Sequence, residues 1–586
     1  MKLNIITLFF VFGLISCGSE NENTNKFRIN QEGYFPTAKK IITIKTDAPS
    51  QFLVYDEGEE KNVLAGDVEN IGVWEYSNES YGTIDLSSIK KEGTYTIWVK
   101  DLGYSESFKI SKDAGKKALE SSVEAYYLIR CSSPIEEKYA GVYARPGGHP
   151  DTEVLIHPSA LKEGQDPKTT LSSPRGWYDA GDYNKYVVNS GITTYTLLLA
   201  FEQFGEMLGE ISFKIPHGQK ALPLYLDNVK WNLDWLITMQ DMEDGGVYHK
   251  LTHANFDGAV MPHKGQNKPR YVVQKSTAAT LNFAAVMAYA SRVYRKYDES
   301  LAKQYQSAAI KAYHWAKQNP SVLYDQDQIN KTYQPKITTG AYGDQNLDDE
   351  WNWASTELYI LTRDDTYYEK VDWDKVNYDQ VQGWDNVAFL PLYSLAYNEK
   401  TESAVSHKDF PKVEKIIIQK ANQLYEQYKT SSMKVSMGQL TSDFVWGSNS
   451  VAANQGMLLL NAYKLNYNAG YIDAAIGVFD YLLGRNPLDI SYLTGAGTRQ
   501  VMHPHHRISE ADTVKAPYPG LLVGGPQNNN DDGCDYDGEL PATKYSDVWC
   551  SYTTNEIAIN WNASFVYLMA GLNNHFSHNY EPVVIR

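Results

Sequence analysis

Residues 94–131 read TYTIWVKDLGYSESFKISKDAGKKALESSVEAYYLIRC, and within them the chain changes its period. Thr94–Val99 is a run of β-branched and aromatic residues of the kind that fits a pleated, half-buried surface. From Ala114 to Cys131 the apolar residues recur at helical spacing instead. Before the change lie further strand-like runs, Ile41–Ile44 and Gln51–Tyr55, separated by Gly, Asp and Asn turns. Residues 27–110 are therefore expected to form a small β-sandwich of immunoglobulin type. After it, roughly eleven helical segments can be counted, among them Thr193–Leu208, Ser276–Tyr297, Leu301–Gln318, Val413–Tyr428 and Glu556–Leu572. Long loops rich in Gly, Pro, Asp and His interrupt them at Ser132–Gly176 and Asn486–Tyr545; loops of that length in a compact domain are functional or disordered. No short repeat is present, which excludes a solenoid. The fold class is multidomain: an N-terminal β-sandwich, then one large all-α domain over 113–575 whose loops carry the chemistry.

The length, 586 residues, agrees with more than one core. A net charge of −17 argues against nucleic acid or an anionic membrane as partner. The 44 tyrosines and 13 tryptophans suit sugar binding, and suit cores equally well. At the N-terminus, Lys2 precedes an apolar run, Leu3–Ile15, too short to span a bilayer and of the length of a signal-peptide core. It ends in Leu14-Ile15-Ser16-Cys17, which resembles a bacterial lipobox. Residues 1–17 are read as a lipoprotein signal with Cys17 as the lipidation site, and 18–26 as a polar tether. The mature chain is expected to be exported and lipid-anchored to a bacterial membrane, on its periplasmic or cell-surface face, touching the membrane only through that lipid. An ordinary cleaved signal with an incidental cysteine is the alternative. Cys534 and Cys550 are near enough to close a short disulfide loop in an exported protein, although free thiols fit as well; Cys131 is the odd cysteine. A monomer is expected.

Three segments carry residues suited to chemistry. Gly176-Trp177-Tyr178-Asp179-Ala180-Gly181-Asp182-Tyr183-Asn184-Lys185-Tyr186 places two carboxylates in a glycine-containing turn before a helix. Glycoside hydrolysis by inversion needs one carboxylate to activate water and a distant carboxylic acid to protonate the leaving oxygen. A solvated turn or a calcium loop would use the same residues. Tyr545–Glu556 leads into the last apolar helix, where Glu556 reads either as a helix-start residue or as a proton donor. A donor requires a pKa raised by burial and neighbouring carboxylates, and Asp547 could be that neighbour or could fix the orientation of Glu556. Pro504-His505-His506-Arg507 offers donors for sugar hydroxyls. Adjacent histidines diverge, so a metal shared between His505 and His506 is discounted.

Together these segments resemble glycoside hydrolase family 9, which includes many cellulases. Ser491–Thr494, Gly497, Arg499 and Pro504–Arg507 are similar to its histidine motif. Asp547, Tyr552, Glu556, Ala558, Asn562 and Ala563 are similar to its acid motif, and Asp179–Asp182 to its base motif. Asn30-Gln31-Glu32-Gly33-Tyr34 resembles the start of the sandwich domain often placed before this catalytic domain. The resemblance implies an (α/α)6 barrel over 113–575. It implies Asp182 as general base, Asp179 as co-holder of the nucleophilic water, Glu556 as general acid, His505 and Arg507 near the cleaved bond, and Asp547 as support for the acid. Inversion further implies a separation of roughly 6.5–9.5 Å between the Asp182 and Glu556 carboxyl groups. His249 and Trp446 resemble cleft residues that bond to or stack on sugar, with core packing the alternative for Trp446.

No cofactor is required for such chemistry. A structural calcium near the cleft is implied by the family, with Asp349, Glu350 and Asp385 as the chosen ligands, although solvated helix starts explain the first two. The structural zinc of related proteins is not expected. Cys131 and His149 stand where two of its ligands would be, but Gly148 and Tyr178 occupy the other two positions, and two ligands cannot close a tetrahedral site unless His157 and another group rebuild it. The reading that results is an endo-acting β-1,4-glucanase on a cellulose-like chain, mixed-linkage glucan or xyloglucan. Exo-action on chain ends and glycan capture without catalysis are the competing readings.

Overall fold

In the computed structural model, residues 26–401 and 407–577 are described; the signal, Cys17 and nearly all of the tether lie outside the described residues. Nine strands build the sandwich: β1 (Phe27–Arg28), β2 (Ile41–Lys45), β3 (Gln51–Asp56), β4 (Lys61–Asp67), β5 (Glu69–Trp74), β6 (Glu79–Asp85), β7 (Gly93–Val99), β8 (Gly103–Tyr104) and β9 (Phe108–Ile110). One sheet has the order β1-β2-β6-β5 and the other β4-β3-β7-β8, with β9 also pairing β7. Alternation along β3 buries Phe52 and Val54, and along β7 buries Tyr95, Ile97 and Val99. These meet Ile42, Ile44 and Ile84 of the facing sheet. Each such side chain contributes about 1.5–3 kcal/mol by leaving water.

Twelve helices form the wall of the second domain: α1 (Lys116–Leu128), α2 (Val187–Glu210), α3 (Leu224–Thr238), α4 (Thr277–Tyr294), α5 (Glu299–Gln318), α6 (Asp348–Thr362), α7 (Asp365–Tyr368), α8 (Phe389–Thr401), α9 (Phe410–Thr430), α10 (Ser448–Asn466), α11 (Ala469–Leu482) and α12 (Ile559–Ser577). They alternate between two rings. The even-numbered helices pack on one another from α12 through α2, α4, α6 and α8, with α10 returning to α12. The odd-numbered ones lie outside them, α1 on α12, α3 on α2, α5 on α4, α7 on α6, α9 on α8 and α10, and α11 on α10. Sequence composition follows the ring. α4 is buried almost all round, whereas α5 buries one stripe, Ala302, Tyr305, Ala309, Ala312, Tyr313 and Ala316. The Asp298 side chain caps α5 by accepting from Leu301 N–H at 2.9 Å, a bond of about 1 kcal/mol. α7 is a single turn of four residues, too short for a helical period to show in sequence.

Two boundaries differ from the sequence reading. α2 begins at Val187, well before Thr193, because Lys185–Tyr186 pairs as a short strand and hands over directly to the helix. α12 begins at Ile559, so Glu556 does not open it. Glu556 is extended (φ −68°, ψ 157°), and its segment is held by bridges from Glu556 to His505, Ile557 to Val523 and Ala558 to Ala180. Long-range pairing, invisible to local propensity, wins there.

The loop Ser132–Gly176 is partly sheet. β10 (Val154–Ile156) and β11 (Thr170–Leu171) join β12 (Lys185–Tyr186), β13 (Lys250–His253) and β14 (Arg270–Val272) in the order β11-β10-β14-β13-β12. The two domains meet through the Asn30–Tyr34 stretch. Asn30 Nδ2 donates to Asp480 at 2.9 Å, and Gln31 Oε1 accepts from the backbone N–H groups of Thr498 and Arg499 at 2.9 and 2.8 Å. Phe35 stacks on Phe576 at 4.9 Å. Cys534 and Cys550 are disulfide-bonded and Cys131 is free and buried. Among the described residues no helix is long and apolar enough to cross a membrane.

Candidate active site

Three segments distant in sequence converge on Gly181. A Cβ built there would fall 2.2 Å from the His505 carbonyl oxygen and 3.1 Å from Glu556 Oε1, so only glycine admits both neighbours. Its N–H donates to Glu556 Oε1 at 3.3 Å and its carbonyl accepts from Arg507 N–H at 3.1 Å. The base turn, the histidine loop and the acid segment are thereby stitched into one unit.

Asp182 is buried, and its two oxygens are treated differently. Oδ2 accepts from the Tyr186 hydroxyl at 2.9 Å and from Asn184 Nδ2, while Oδ1 has no hydrogen-bond partner in the protein. Asp179 is held on both oxygens, by Asn189 Nδ2 and the Tyr342 hydroxyl, each at 2.8 Å. Burial, and then the charge of Asp182, push Asp179 up to about 8. The same two causes in the same order push Glu556 up to about 8, against the opposing pull of Arg507. A glutamate so placed keeps its proton at neutral pH, the state a general acid must start from.

Asp182, Asp179 and Glu556 line one cavity of about 390 Å³, together with Tyr186, Phe256, Tyr342, Trp384, Trp446 and Trp561. A second cavity of about 370 Å³ shares Trp384, Trp446, Asn560 and Trp561 with it and adds Asp385, Gln527 and Asn529. The two cavities adjoin at these shared residues, and both are lined by indole rings with amides and carboxylates between them, the surface chemistry that sugar rings require. Trp446 stands at the junction, 45% exposed and tilted against Tyr552 at 5.4 Å. The loop Gly520–Pro541 contributes to the second cavity, while Ser132–Gly176 contributes to neither.

Other sequence expectations land elsewhere. His249 is fully buried, and both ring nitrogens are taken, Nδ1 by Ser276 and Nε2 by the Ala341 carbonyl at 2.9 Å. It cannot also bind sugar; it positions the Gly340–Tyr342 wall of the groove. His505 and Arg507 do not line the cavity. His505 Nδ1–H donates to the Trp549 carbonyl at 2.7 Å and its ring stacks on Trp549 at 4.1 Å, which fixes the neutral tautomer with Nε2 as acceptor. Arg507 Nε donates to the Asp257 carbonyl at 2.7 Å, and the guanidinium lies over Phe256. Asp547 is not among the carboxylates that raise Glu556. It accepts from the N–H groups of Met502 and His503 and from Asn555 Nδ2, so it braces the histidine loop and the residue before the acid.

The acidic trio also changes membership. Asp349 and Glu350 are buried at the start of α6, but the third buried carboxyl beside them is Asp344; Asp385 is exposed in the second cavity. Asp344 Oδ2, Asp349 Oδ1 and both Glu350 oxygens lack any donor. Burial, then Asp349 and Asp344, hold Glu350 well above the carboxylate range. Facing carboxyl groups without donors need a proton or a cation between them, and an all-oxygen set suits calcium. Asn184, Tyr186, Tyr342, Trp384 and Trp561 escaped the sequence reading. Asn184 and Tyr186 lay inside the quoted base motif, whereas the other three carry no local signal.

The chain is similar to known proteins over nearly its whole length. Residues 116–569 match the profile of glycosyl hydrolase family 9, and residues 22–104 that of the cellulase N-terminal ig-like domain. The chain is 36% identical, over 97% of its length and 99% of the relative's, to the xyloglucan-specific endo-beta-1,4-glucanase BoGH9A of Bacteroides ovatus. It is 31% identical, over 95% of its length and 85% of the relative's, to endoglucanase D of Acetivibrio thermocellus. Among solved structures, a Bacteroides ovatus GH9 protein superposes with a TM-score of 0.88 at 36% identity, covering 94% of this chain and 99% of that one.

Proposed function

The chain belongs to glycosyl hydrolase family 9 and is an endo-β-1,4-glucanase by type; on that premise we propose that it inverts the anomeric centre of a xyloglucan-like backbone, with Asp182 as base and Glu556 as acid. The observation that carries the assignment is the asymmetry of Asp182. One oxygen is fixed by Asn184 and Tyr186, and the other is bare in the cavity that Glu556 shares.

The steps follow from that arrangement. A water bound at Asp182 Oδ1 loses its proton to the carboxylate as it attacks the anomeric carbon. Asp179, clamped by Asn189 and Tyr342, holds the water's other side. Glu556, kept protonated by burial and by the nearby aspartates, gives its proton to the departing glycosidic oxygen. Arg507 and the Gly181 N–H stabilise the glutamate anion that results, as both already lower its pKa. Trp384, Trp446 and Trp561 supply stacking faces along the groove. Asp344, Asp349 and Glu350 would hold a structural calcium, which supplies positive charge to α6 and takes no part in bond cleavage.

The xyloglucan preference is supported by the activity printed for the Bacteroides ovatus relative and by the open, two-cavity groove. It is tested by digesting xyloglucan, barley-type β-glucan and cellulose while following viscosity, product size and, by NMR, the first anomer released. An α-anomer from a β-linked chain with an early viscosity drop on xyloglucan is expected. A β-anomer would end the inverting mechanism, and small sugars preceding any viscosity change would mean exo-action.

A further inference from the structure

Outside the groove, three side chains aim metal-ligand atoms at one point. They are His149, on the loop before β10, His253, at the end of β13, and Asp257, four residues further on. One ligand atom from each lies within 4.8 Å of the other two, and the residues are 1%, 1% and 6% exposed. His149 Nε2 and His253 Nε2 are buried without a hydrogen-bond partner. His253 Nδ1 and Asp257 Oδ2 pair with each other at 2.6 Å, which leaves His253 Nε2 as the unengaged ring nitrogen. Unsatisfied buried polar atoms are costly, and here they are adjacent.

Their outer contacts are those that orient ligands. His149 Nδ1 is bonded to the Tyr178 hydroxyl at 2.9 Å, which leaves Nε2 as the free atom, and Asp257 Oδ1 accepts from Lys268 at 2.5 Å. We propose that His149, His253 and Asp257 form a site for a zinc-class divalent cation, with water as the fourth ligand. Two imidazoles and a carboxylate are the donor set of such ions.

The proposal departs from the sequence expectation of no zinc, and it does not restore the family's ligands. Cys131 is engaged by the His149 carbonyl and Asp151, and Tyr178 serves as support to His149. His157 does not rebuild the site, because Ser159 and the Pro335 carbonyl occupy its nitrogens. The nearby cations Lys185 and Arg270 are compensated by Asp151 at 2.8 and 3.3 Å. The site would brace the catalytic groove. His253 N–H donates to Asn184 Oδ1 at 2.9 Å, and Asn184 holds Asp182. Phe256, between the two ligands on β13 and its following loop, lines the cavity.

The test uses the full chain, stripped with chelator, dialysed against zinc chloride and then against metal-free buffer, with metal content and Tm as readouts. About one equivalent of retained zinc and a raised Tm are expected. His253→Gln and Asp257→Asn should each fall to background, and Glu350→Gln should keep its zinc. Titration of the wild type with cobalt(II) should produce tetrahedral ligand-field bands, a readout that stands even if a variant does not fold. Absence of retained zinc and of those bands in the wild type, or undiminished zinc in both ligand variants, would overturn the site. None of these readouts depends on hydrolysis.

Discussion

The barrel carries two groups of clustered carboxyl side chains, each with a member whose pKa burial raises, and the groups differ in construction. Asp179, Asp182 and Glu556 open onto a groove, and their oxygens are met by chosen donors: Asn189, Tyr342, Asn184, Tyr186 and the Gly181 N–H. Asp182 Oδ1 is left bare. Asp344, Asp349 and Glu350 line neither cavity of the groove, and the bonds that reach them from outside the trio come from backbone N–H groups, those of Asn346 and Val387 among them. Burial is the leading cause of the raised pKa of Glu350 as it is for Glu556. A raised pKa therefore does not identify a catalytic acid. What separates the groups is whether a proton can leave into a substrate groove or whether the charges must be permanently matched in place.

The largest effect should come from the first group. Asp182→Asn and Glu556→Gln are each expected to lower kcat by at least about 10²–10⁴-fold with little change in Tm. Steady-state kinetics and thermal melts on the same preparations check this, and near-normal turnover in either variant would move the chemistry elsewhere. The second group should respond in stability. Calcium at about 100 times its Kd should stabilise the wild type by about 2.7 kcal/mol, and removing it with EGTA should lower Tm. Glu350→Gln should lose that calcium response while kcat falls less than about tenfold. A wild-type Tm indifferent to calcium would make the trio a proton-sharing cluster instead.

The smallest effect is in pH. Activity should decline as pH rises through about 8, where the coupled Asp179 and Glu556 lose their protons. The observed value belongs to the set and not to one residue. The stability effect has the same sign. A carboxyl group whose folded pKa is raised binds its proton more tightly when folded, so its contribution is full below the unfolded value near 4.5 and is lost as pH rises toward 8. Glu556→Gln should accordingly lose less Tm than the wild type between neutral and alkaline pH. Parallel Tm curves for the two proteins would remove Glu556 as a titrating group.

Much of this was legible in the chain itself. The period change across residues 94–131 marked the domain junction, since strands alternate every second residue and helices every 3.6. The motif around Asp179 and Asp182 was local and compact, so its neighbours Asn184 and Tyr186 lay in plain sight. Tyr342, Trp384 and Trp561 were not legible, because each reaches the groove from a different turn of the barrel. His249 misled because it resembles a cleft residue of the family, while only packing reveals that Ser276 and Ala341 have consumed it. Asp385 stands in the expected trio where the structure has Asp344, because sequence shows charge but not depth.

By itself the sequence determined the two-domain order and the helical wall, because these depend on short-range periodicity, and it offered the base and acid motifs through resemblance to the family. Only the tertiary structure decided that Glu556 lies on an extended segment, that one oxygen of Asp182 is bare, and that His149, His253 and Asp257 meet. Those outcomes depend on contacts between segments hundreds of residues apart, whose burial and hydrogen-bond geometry no local window contains.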